Sequence, residues 1–201
     1  MKICIYAQAR SGSTSLYRLI LEHLDMTYES YDEPFNNAAI KEFETKDLLF
    51  LNDLKYKNNV LIKTLHYTKP NGVDDIEFFE KLIKVFDVVI VLIRVDILSQ
   101  TESYLYKLLS NASDWHEPEY YDMSIISEEQ LKDKLLDYSI SNRDIIQTCQ
   151  RNDIKIQTYE DLYINKNKKN IKEIFNSLKL ELNDELYTEW ILNKNKKERI
   201  T

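Results

Sequence analysis

The chain has 201 residues, of which 43% are hydrophobic, and it carries a formal net charge of −7. This length suits one domain with a sizeable core, and the negative charge argues against a nucleic-acid partner held by broad phosphate neutralisation. No apolar run reaches the roughly 20 residues of a membrane span or resembles a signal peptide, so we expect a soluble cytoplasmic protein. Two distant cysteines and no clustered histidines predict neither a disulfide framework nor a metal site.

The first predicted elements are a strand over residues 3–7 and a helix that starts near Thr14, joined by a tight loop. Gly12, one of only two glycines, lies in this loop, where the backbone must bend and approach a ligand closely. Hydroxyl groups surround it at Ser11, Ser13, Thr14 and Ser15. The unpaired N–H groups of the helix start make this loop a predicted anion site, although a serine-rich turn that only caps a helix is the alternative.

A strand over residues 26–31 and a helix over residues 37–55 follow, and Pro34 favours extended backbone at Glu33. The next strand, residues 59–64, places Lys63 at its carboxyl end, where open α/β sheets bind ligands. His66 follows in the same loop, and its ordinary pKa near 6.5 makes it a candidate base. Both side chains could instead be surface groups.

A helix over residues 75–85 leads to the β-branched run 87–93, which is typical of a strand buried on both faces. Arg94 ends this strand, and Asp96 is placed to cap the next helix. A guanidinium beside a helix N-terminus can clamp a phosphate with two hydrogen bonds, although pairing with a carboxylate would also explain it.

Residues 111–127 lose periodicity and contain Trp115 and Tyr121, as expected of a sugar-binding loop or of core packing. A long helix over residues 128–151 and a strand over residues 154–158 come next, and Tyr159 follows that strand. One helix near residues 171–178 and a short one capped by Asn183 precede a tail, residues 193–201, that we expect to fray. The alternation predicts a single α/β domain over residues 1–201, a three-layer α/β/α architecture with a mostly parallel central sheet.

Three segments resemble landmarks of the PAPS-dependent sulfotransferases, which have a P-loop-like nucleotide-binding fold and use 3′-phosphoadenosine 5′-phosphosulfate (PAPS). Residues 10–14, reading RSGST, resemble their 5′-phosphosulfate loop, and they lack the first glycine and the lysine of GxxxxGK[ST]. Residues 93–108, reading IRVDILSQTESYLYKL, resemble their 3′-phosphate element in the form found in the bacterial trehalose and Nod-factor branch. Residues 159–162, reading YEDL, resemble a third landmark, whereas the Arg-Lys-Gly segment of the cytosolic branch has no counterpart.

The resemblance implies PAPS as donor and 3′-phosphoadenosine 5′-phosphate (PAP) as product, with no metal. It implies Glu33 as the base and Arg10 as a catalytic group that stabilises charge, and His66 stays the second candidate base because of its ordinary pKa. Arg94 and Ser103 would hold the 3′-phosphate, with Ser99 in reserve. The full donor-binding set is Arg10, Ser11, Gly12, Ser13, Thr14, Ser15, Arg94, Ser99, Ser103 and Tyr159, the last at the adenine.

The acceptor implied by the resemblance is a hydroxyl group of a carbohydrate or glycolipid. The predicted acceptor-site residues are Lys63, His66, Trp115 and Tyr121, with residues 113–127 as the acceptor-site loop. Two other hypotheses remain open, a nucleotide-dependent small-molecule kinase and a non-catalytic nucleotide-binding module. Nothing in the sequence indicates the oligomeric state.

Overall fold

A five-stranded parallel sheet forms the centre of the computed structural model, which describes residues 1–35, 48–70, 72–109 and 123–198. Its strands are β1 (Lys2–Ala7), β2 (Glu29–Asp32), β3 (Val60–Leu65), β4 (Val88–Ile93) and β5 (Ile156–Thr158). They lie in the order β2-β3-β1-β4-β5, and every pairing is parallel. The predicted α/β fold class is confirmed.

The helices are α1 (Ser13–Leu21), α2 (Leu48–Leu54), α3 (Asp75–Val85), α4 (Ile97–Leu109), α5 (Glu128–Arg151), α6 (Lys168–Ser177) and α7 (Asp184–Glu198). A 3₁₀ turn spans Met123–Ile125 and a π-helical turn spans Glu160–Ile164. The termini of α3 and α5 match the prediction because Asp74 and Ser127 cap their first turns. No helix in the described part of the chain is long and apolar enough to cross a bilayer.

Alternate residues of β1 face opposite sides of the sheet, and each side is covered by helices. Ile3 and Ile5 pack in a core with α1, α6 and α7, whereas Cys4 and Tyr6 pack in a second core with α2, α3 and α5. All four side chains are fully buried, and each large apolar one contributes about 1.5–3 kcal/mol to folding. The predicted three-layer arrangement follows from these two cores.

Several predicted boundaries were wrong or fall outside the described residues. Strand β2 starts at Glu29 because Asp25 forms a turn with Thr27 and Tyr28. Strand β5 starts at Ile156, after Ile154 N bonds back to Cys149 O at 2.9 Å. Helix α7 continues to Glu198, past the predicted start of the tail. Residues 37–47 of the predicted second helix, and Trp115 and Tyr121 of the aromatic loop, lie outside the described residues.

Strand β1 occupies the middle of the sheet, and its connection differs in direction from that of its neighbour β3. The chain leaves β1 over the face covered by α1 and returns from β3 to β4 over the opposite face, covered by α3. A crevice opens at the carboxyl end of a parallel sheet where connections diverge in this way. The loops after β1, β3 and β4 therefore converge on one edge of the sheet, the candidate ligand edge.

Candidate functional site

The loop between β1 and α1 presents backbone donors to this edge. Arg10 and Gly12 have left-handed backbone conformations, with φ of 63° and 82°. The Ser11 hydroxyl is buried and donates to Gln8 O at 2.6 Å, which closes the turn. Among the described residues, nothing accepts a hydrogen bond from the backbone N–H groups of residues 11–14, and Gly12 has no side chain with which to cap α1. These donors and the positive end of α1 form an anion-binding concavity.

Gly12 is required at its position for a second reason besides its φ angle. A Cβ atom there would lie 2.4 Å from Cε2 of Tyr163, well inside van der Waals contact. The Tyr163 hydroxyl donates to Gly12 O at 2.6 Å, and Trp190 Nε1 donates to Ser15 O at 3.0 Å. Burial raises the pKa of Tyr163, which therefore keeps its proton to donate. Aromatic side chains from distant parts of the chain thus support the anion loop from behind.

Lys63 connects the anion loop to the end of β2. Its ammonium group contacts Thr14 Oγ1 at 2.7 Å, Asp32 Oδ1 at 2.7 Å and Glu33 Oε1 at 2.8 Å. The Lys63 side chain is only 2% exposed, whereas those of Glu33 and Asp32 are 20% and 48% exposed. The predicted acceptor-site lysine is therefore a buried cation that lies between the anion loop and the candidate base.

The backbone of Glu33 differs from the prediction. Pro34 favours extended backbone there, yet φ of Glu33 is 51°, in the left-handed region. The Glu33 N–H donates to Lys63 O at 2.7 Å, and the side chain turns back to the Lys63 ammonium. These two contacts hold a conformation that costs roughly 1–3 kcal/mol by itself. The strain places the carboxylate at the ligand edge rather than in solvent.

Arg94 and Tyr159 meet at the carboxyl ends of β4 and β5. The Arg94 guanidinium carbon lies 4.6 Å from the centroid of the Tyr159 ring, a cation–π contact. Arg94 Nε is buried and has no hydrogen-bond partner among the described residues. Because a buried donor is nearly always paired in a folded protein, this atom calls for an acceptor from outside the chain.

Glu160 holds the start of α4. Its carboxylate accepts hydrogen bonds from Val95 N at 3.0 Å and from Asp96 N at 3.0 Å. Asp96 caps the same helix through Ser99, whose N–H and hydroxyl donate to its carboxylate and lower its pKa. The N-terminus of α4 is thus closed by side chains of the protein, unlike that of α1.

The two candidate serines of α4 have different partners. The Ser99 hydroxyl donates to Asp96 Oδ2 at 2.6 Å, whereas Ser103 Oγ accepts a hydrogen bond from Arg10 Nε at 2.8 Å. Ser103 therefore lies beside the anion loop, and the structure brings it together with Arg10.

His66 is turned into the core on the α3 side of the sheet. Its Nδ1 forms a 2.6 Å hydrogen bond with the Tyr6 hydroxyl, and Tyr6 stacks on Phe79 at a centroid distance of 4.0 Å. Burial lowers the pKa of His66, although the Asp75 carboxylate opposes this shift. The structure does not bring His66 together with Glu33 and Lys63.

A group of aromatic residues near Arg10 was not predicted from the sequence. Lys134 of α5 lies 4.8 Å from the Tyr104 centroid and 4.9 Å from the Tyr138 centroid. Burial raises the pKa of Tyr138, and the charge of Arg10 opposes this shift. The helical spacing of Tyr138 indicated only core packing, and no local pattern signals that α4 and α5 join at this edge.

Among residues 1–35, 48–70, 72–109 and 123–198, no group of His, Cys, Asp or Glu side chains could hold a metal ion. The donors of the edge are instead N–H, ammonium, guanidinium and hydroxyl groups. Such a set binds oxyanions.

No protein-family model and no curated protein matches this chain. Among solved structures, the chain is similar to a crystal structure of mouse sulfotransferase SULT7A1 complexed with PAP, with a TM-score of 0.54 and 15% sequence identity. The match covers 96% of this chain and 63% of the mouse chain, so the chain spans less than two thirds of that protein. At this identity the likeness establishes the fold.

Proposed function

We propose that this protein is a PAPS-dependent sulfotransferase that transfers a sulfuryl group to an acceptor hydroxyl. The observation that carries the proposal is the presence of two separate oxyanion positions at one sheet edge. One is the loop at residues 11–14, whose N–H groups have no acceptor within the described ranges, and the other is Arg94, whose buried Nε has no partner there either. The donor has a 5′-phosphosulfate and a 3′-phosphate, and the structural neighbour is a sulfotransferase complexed with PAP.

The side chains at each position fit the corresponding part of the donor. The loop amides, with Arg10 and the hydroxyls of Ser13, Thr14 and Ser15, would hold the 5′-phosphosulfate. Arg94 would hold the 3′-phosphate, because its buried Nε has no acceptor in the part of the chain that the structure describes and a guanidinium forms strong hydrogen bonds with an oxyanion. Tyr159, which already contacts the guanidinium, would lie against the adenine.

When bound, PAPS supplies a sulfuryl group whose S–O bond to the 5′-phosphate breaks as an S–O bond to the acceptor forms. Lys63 reaches Thr14 on the donor side and Glu33 on the acceptor side, so its charge lies where negative charge develops. A well-placed donor of this kind is typically worth about 3–4 kcal/mol of transition-state stabilisation. Glu33 accepts the proton that leaves the acceptor hydroxyl.

The proposed acceptor is a carbohydrate hydroxyl. Its support is the resemblance to the trehalose and Nod-factor branch, in which aromatic residues occupy the segment that here contains Trp115 and Tyr121. Tyr67, whose side chain is 46% exposed, adds an aromatic surface within electrostatic reach of Glu33 and Arg10. Rings of this kind pack on the C–H faces of sugars while carboxylates bind their hydroxyl groups.

Calorimetric titration with PAP, ADP and Mg-ATP tests the donor. We expect metal-independent binding of PAP that weakens about 100-fold in Arg94→Ala, because a charge-assisted, bidentate contact is lost. Arg143→Ala is the matched control, since that arginine pairs with Asp144 at an exposed site on α5. Binding of Mg-ATP alone would support the kinase hypothesis. Binding of no nucleotide would mean that the loop after β1 is a structural turn and does not bind a nucleotide.

Turnover with PAPS and a panel of sugars, phenols and steroids tests the chemistry. Glu33→Gln should lower kcat by about 10²–10⁴-fold while PAP affinity stays nearly constant, because the base acts on the acceptor. Asp32→Asn is the control, since Asp32 also contacts Lys63 but is nearly half exposed. An unchanged rate in Glu33→Gln would remove the base role, and PAP binding without turnover on any acceptor would indicate a non-catalytic module.

A further inference from the structure

The five residues Glu160–Ile164 form a π-helical turn, which we call the π-turn, directly after β5 and Tyr159. Its wide spacing is defined by Asn165 N, which donates to Glu160 O at 2.7 Å, five residues back. In an α-helix, residues three apart share a face. A π-turn has more residues per turn, so Glu160 and Tyr163 diverge and contact different elements.

Glu160 fixes a peptide plane in the Arg94 segment. Its carboxylate holds the Val95 N–H at 3.0 Å, while Asn142 Nδ2 donates to Arg94 O at 3.3 Å on the other side of the same peptide. Because the peptide group is planar and trans, these two contacts set its orientation. The preceding Tyr159 is held under the Arg94 guanidinium by the same turn.

Tyr163 fixes a peptide plane in the anion loop. Its hydroxyl donates to Gly12 O, which also accepts from Ser15 N at 3.1 Å and Leu16 N at 3.2 Å. Since the Ser13 N–H points opposite to Gly12 O across a planar peptide, holding the carbonyl aims that N–H at the anion position. The Tyr163 ring is 1% exposed and packs 4.9 Å from Trp190, so it has little freedom to move away.

We propose that the π-turn is a positioning element that fixes one peptide plane in each oxyanion position, so that the two ends of the nucleotide site act as one unit. In this proposal, Glu160 and Tyr163 do not contact the nucleotide. They act through the backbone groups that they hold. The inference rests on the proposed function, because it assigns the two positions to one bisphosphate nucleotide.

The test is calorimetric titration of Tyr163→Phe, Glu160→Gln and the double variant with PAP and with adenosine 5′-phosphate. In the wild type, the ratio of the two affinities measures the contribution of the 3′-phosphate. Tyr163→Phe removes the hydroxyl that bonds the anion loop at Gly12 O, yet we expect this ratio to fall about three- to tenfold, because the whole turn relaxes. Glu160→Gln should weaken adenosine 5′-phosphate as well as PAP, and the double variant should lose less than the product of the single losses.

Two control variants separate positioning from general loss of stability. Tyr6→Phe removes a buried hydroxyl that bonds His66 Nδ1 on the α3 side of the sheet, and Asp74→Asn weakens a carboxylate cap on α3, both away from the π-turn. The tyrosine control should lower the unfolding temperature about as much as Tyr163→Phe, and Asp74→Asn about as much as Glu160→Gln. Both controls should leave the ratio of PAP to adenosine 5′-phosphate affinity unchanged. PAP binding with an unchanged ratio in Tyr163→Phe and additive losses in the double variant would overturn the inference alone. A wild type that does not bind PAP would overturn the proposed function and the inference with it.

Discussion

The loops after β1 and β3 lie beside each other at the same sheet edge, and they differ in how their polar groups are hydrogen-bonded. After β3, the Thr68 hydroxyl bonds within its own turn, Lys69 pairs with Asp75 at 2.9 Å, and Asp74 caps the following helix through Ile76 N and Glu77 N. After β1, the helix start has no side-chain cap, and the N–H groups of residues 11–14 have no acceptor among the described residues. The same strand-loop-helix pattern is therefore closed in one place and open to an anion in the other.

This difference shows that a helix N-terminus is informative only once its own caps are accounted for. The starts of α3 and α4 carry positive ends like that of α1, but Asp74 and Glu160 already occupy them. Backbone strain also distinguishes the candidate ligand edge from other parts of the chain. The positive φ angles at Asp153 and Lys179 follow the C-caps of α5 and α6, an ordinary place for them, whereas those at Arg10 and Glu33 follow strands at the ligand edge.

The two glycines differ in what surrounds them, and substituting each by alanine tests how tightly the anion loop is packed. Gly12→Ala should destabilise the protein by about 3–4 kcal/mol, since it combines a strained φ with a Cβ placed 2.4 Å from the Tyr163 ring. Gly72→Ala has a similar φ of 77° but nothing within 4 Å, so it should cost only about 1 kcal/mol. Denaturant unfolding measures both values. Equal losses would mean that the close contact behind the anion loop does not constrain it.

Substitutions of Lys63 and Lys69 test whether the buried Lys63 ammonium group acts together with the anion loop after β1. Lys63→Met should lower kcat/KM for sulfuryl transfer by about 10²–10³-fold, because its ammonium group contacts both the anion loop and Glu33. Lys69→Met removes an ion pair whose side chains are 30% and 36% exposed, in the loop after β3, and it should leave the rate within about twofold. Steady-state kinetics on both variants give the result. Comparable rates for the two variants would place Lys63 outside the reaction.

The fold was predictable from local patterns, but the supports of the site were not. The β-branched run of β4 and the capping residues of α3 and α5 carry their structure in a few adjacent residues, so the predicted elements lie within a residue or two of the observed ones. The bond between Tyr163 and Gly12 joins residues 151 positions apart, and its function depends on a π-turn that no simple periodicity signals. Resemblance to a family indicated the candidate ligand-binding residues, whereas the residues behind them emerged only from the packing.

The serines of α4 test which hydroxyl supports the open loop. Ser103→Ala should weaken PAP binding about three- to tenfold, because it releases Arg10 Nε from a 2.8 Å hydrogen bond. Ser99→Ala should leave PAP affinity nearly unchanged, since its hydroxyl bonds Asp96 at the exposed helix start. Titration of both variants with PAP measures the difference, and a larger loss in Ser99→Ala would reverse the two assignments.

The pH dependence of stability tests whether His66 is a buried structural residue of the loop after β3. Burial lowers its pKa below the ordinary value of 6.5, so between these two values the unfolded chain binds a proton that the folded chain does not. The free energy of unfolding should therefore rise as the pH increases towards 6.5, and fall as the pH drops below it. We expect His66→Gln to flatten this slope while the sulfuryl-transfer rate stays within about threefold, because Nδ1 bonds Tyr6 in the core. Unfolding and turnover measured across pH 5 to 8 decide the matter. If His66→Gln retains the slope of stability with pH but loses turnover, His66 acts in the reaction as the second candidate base.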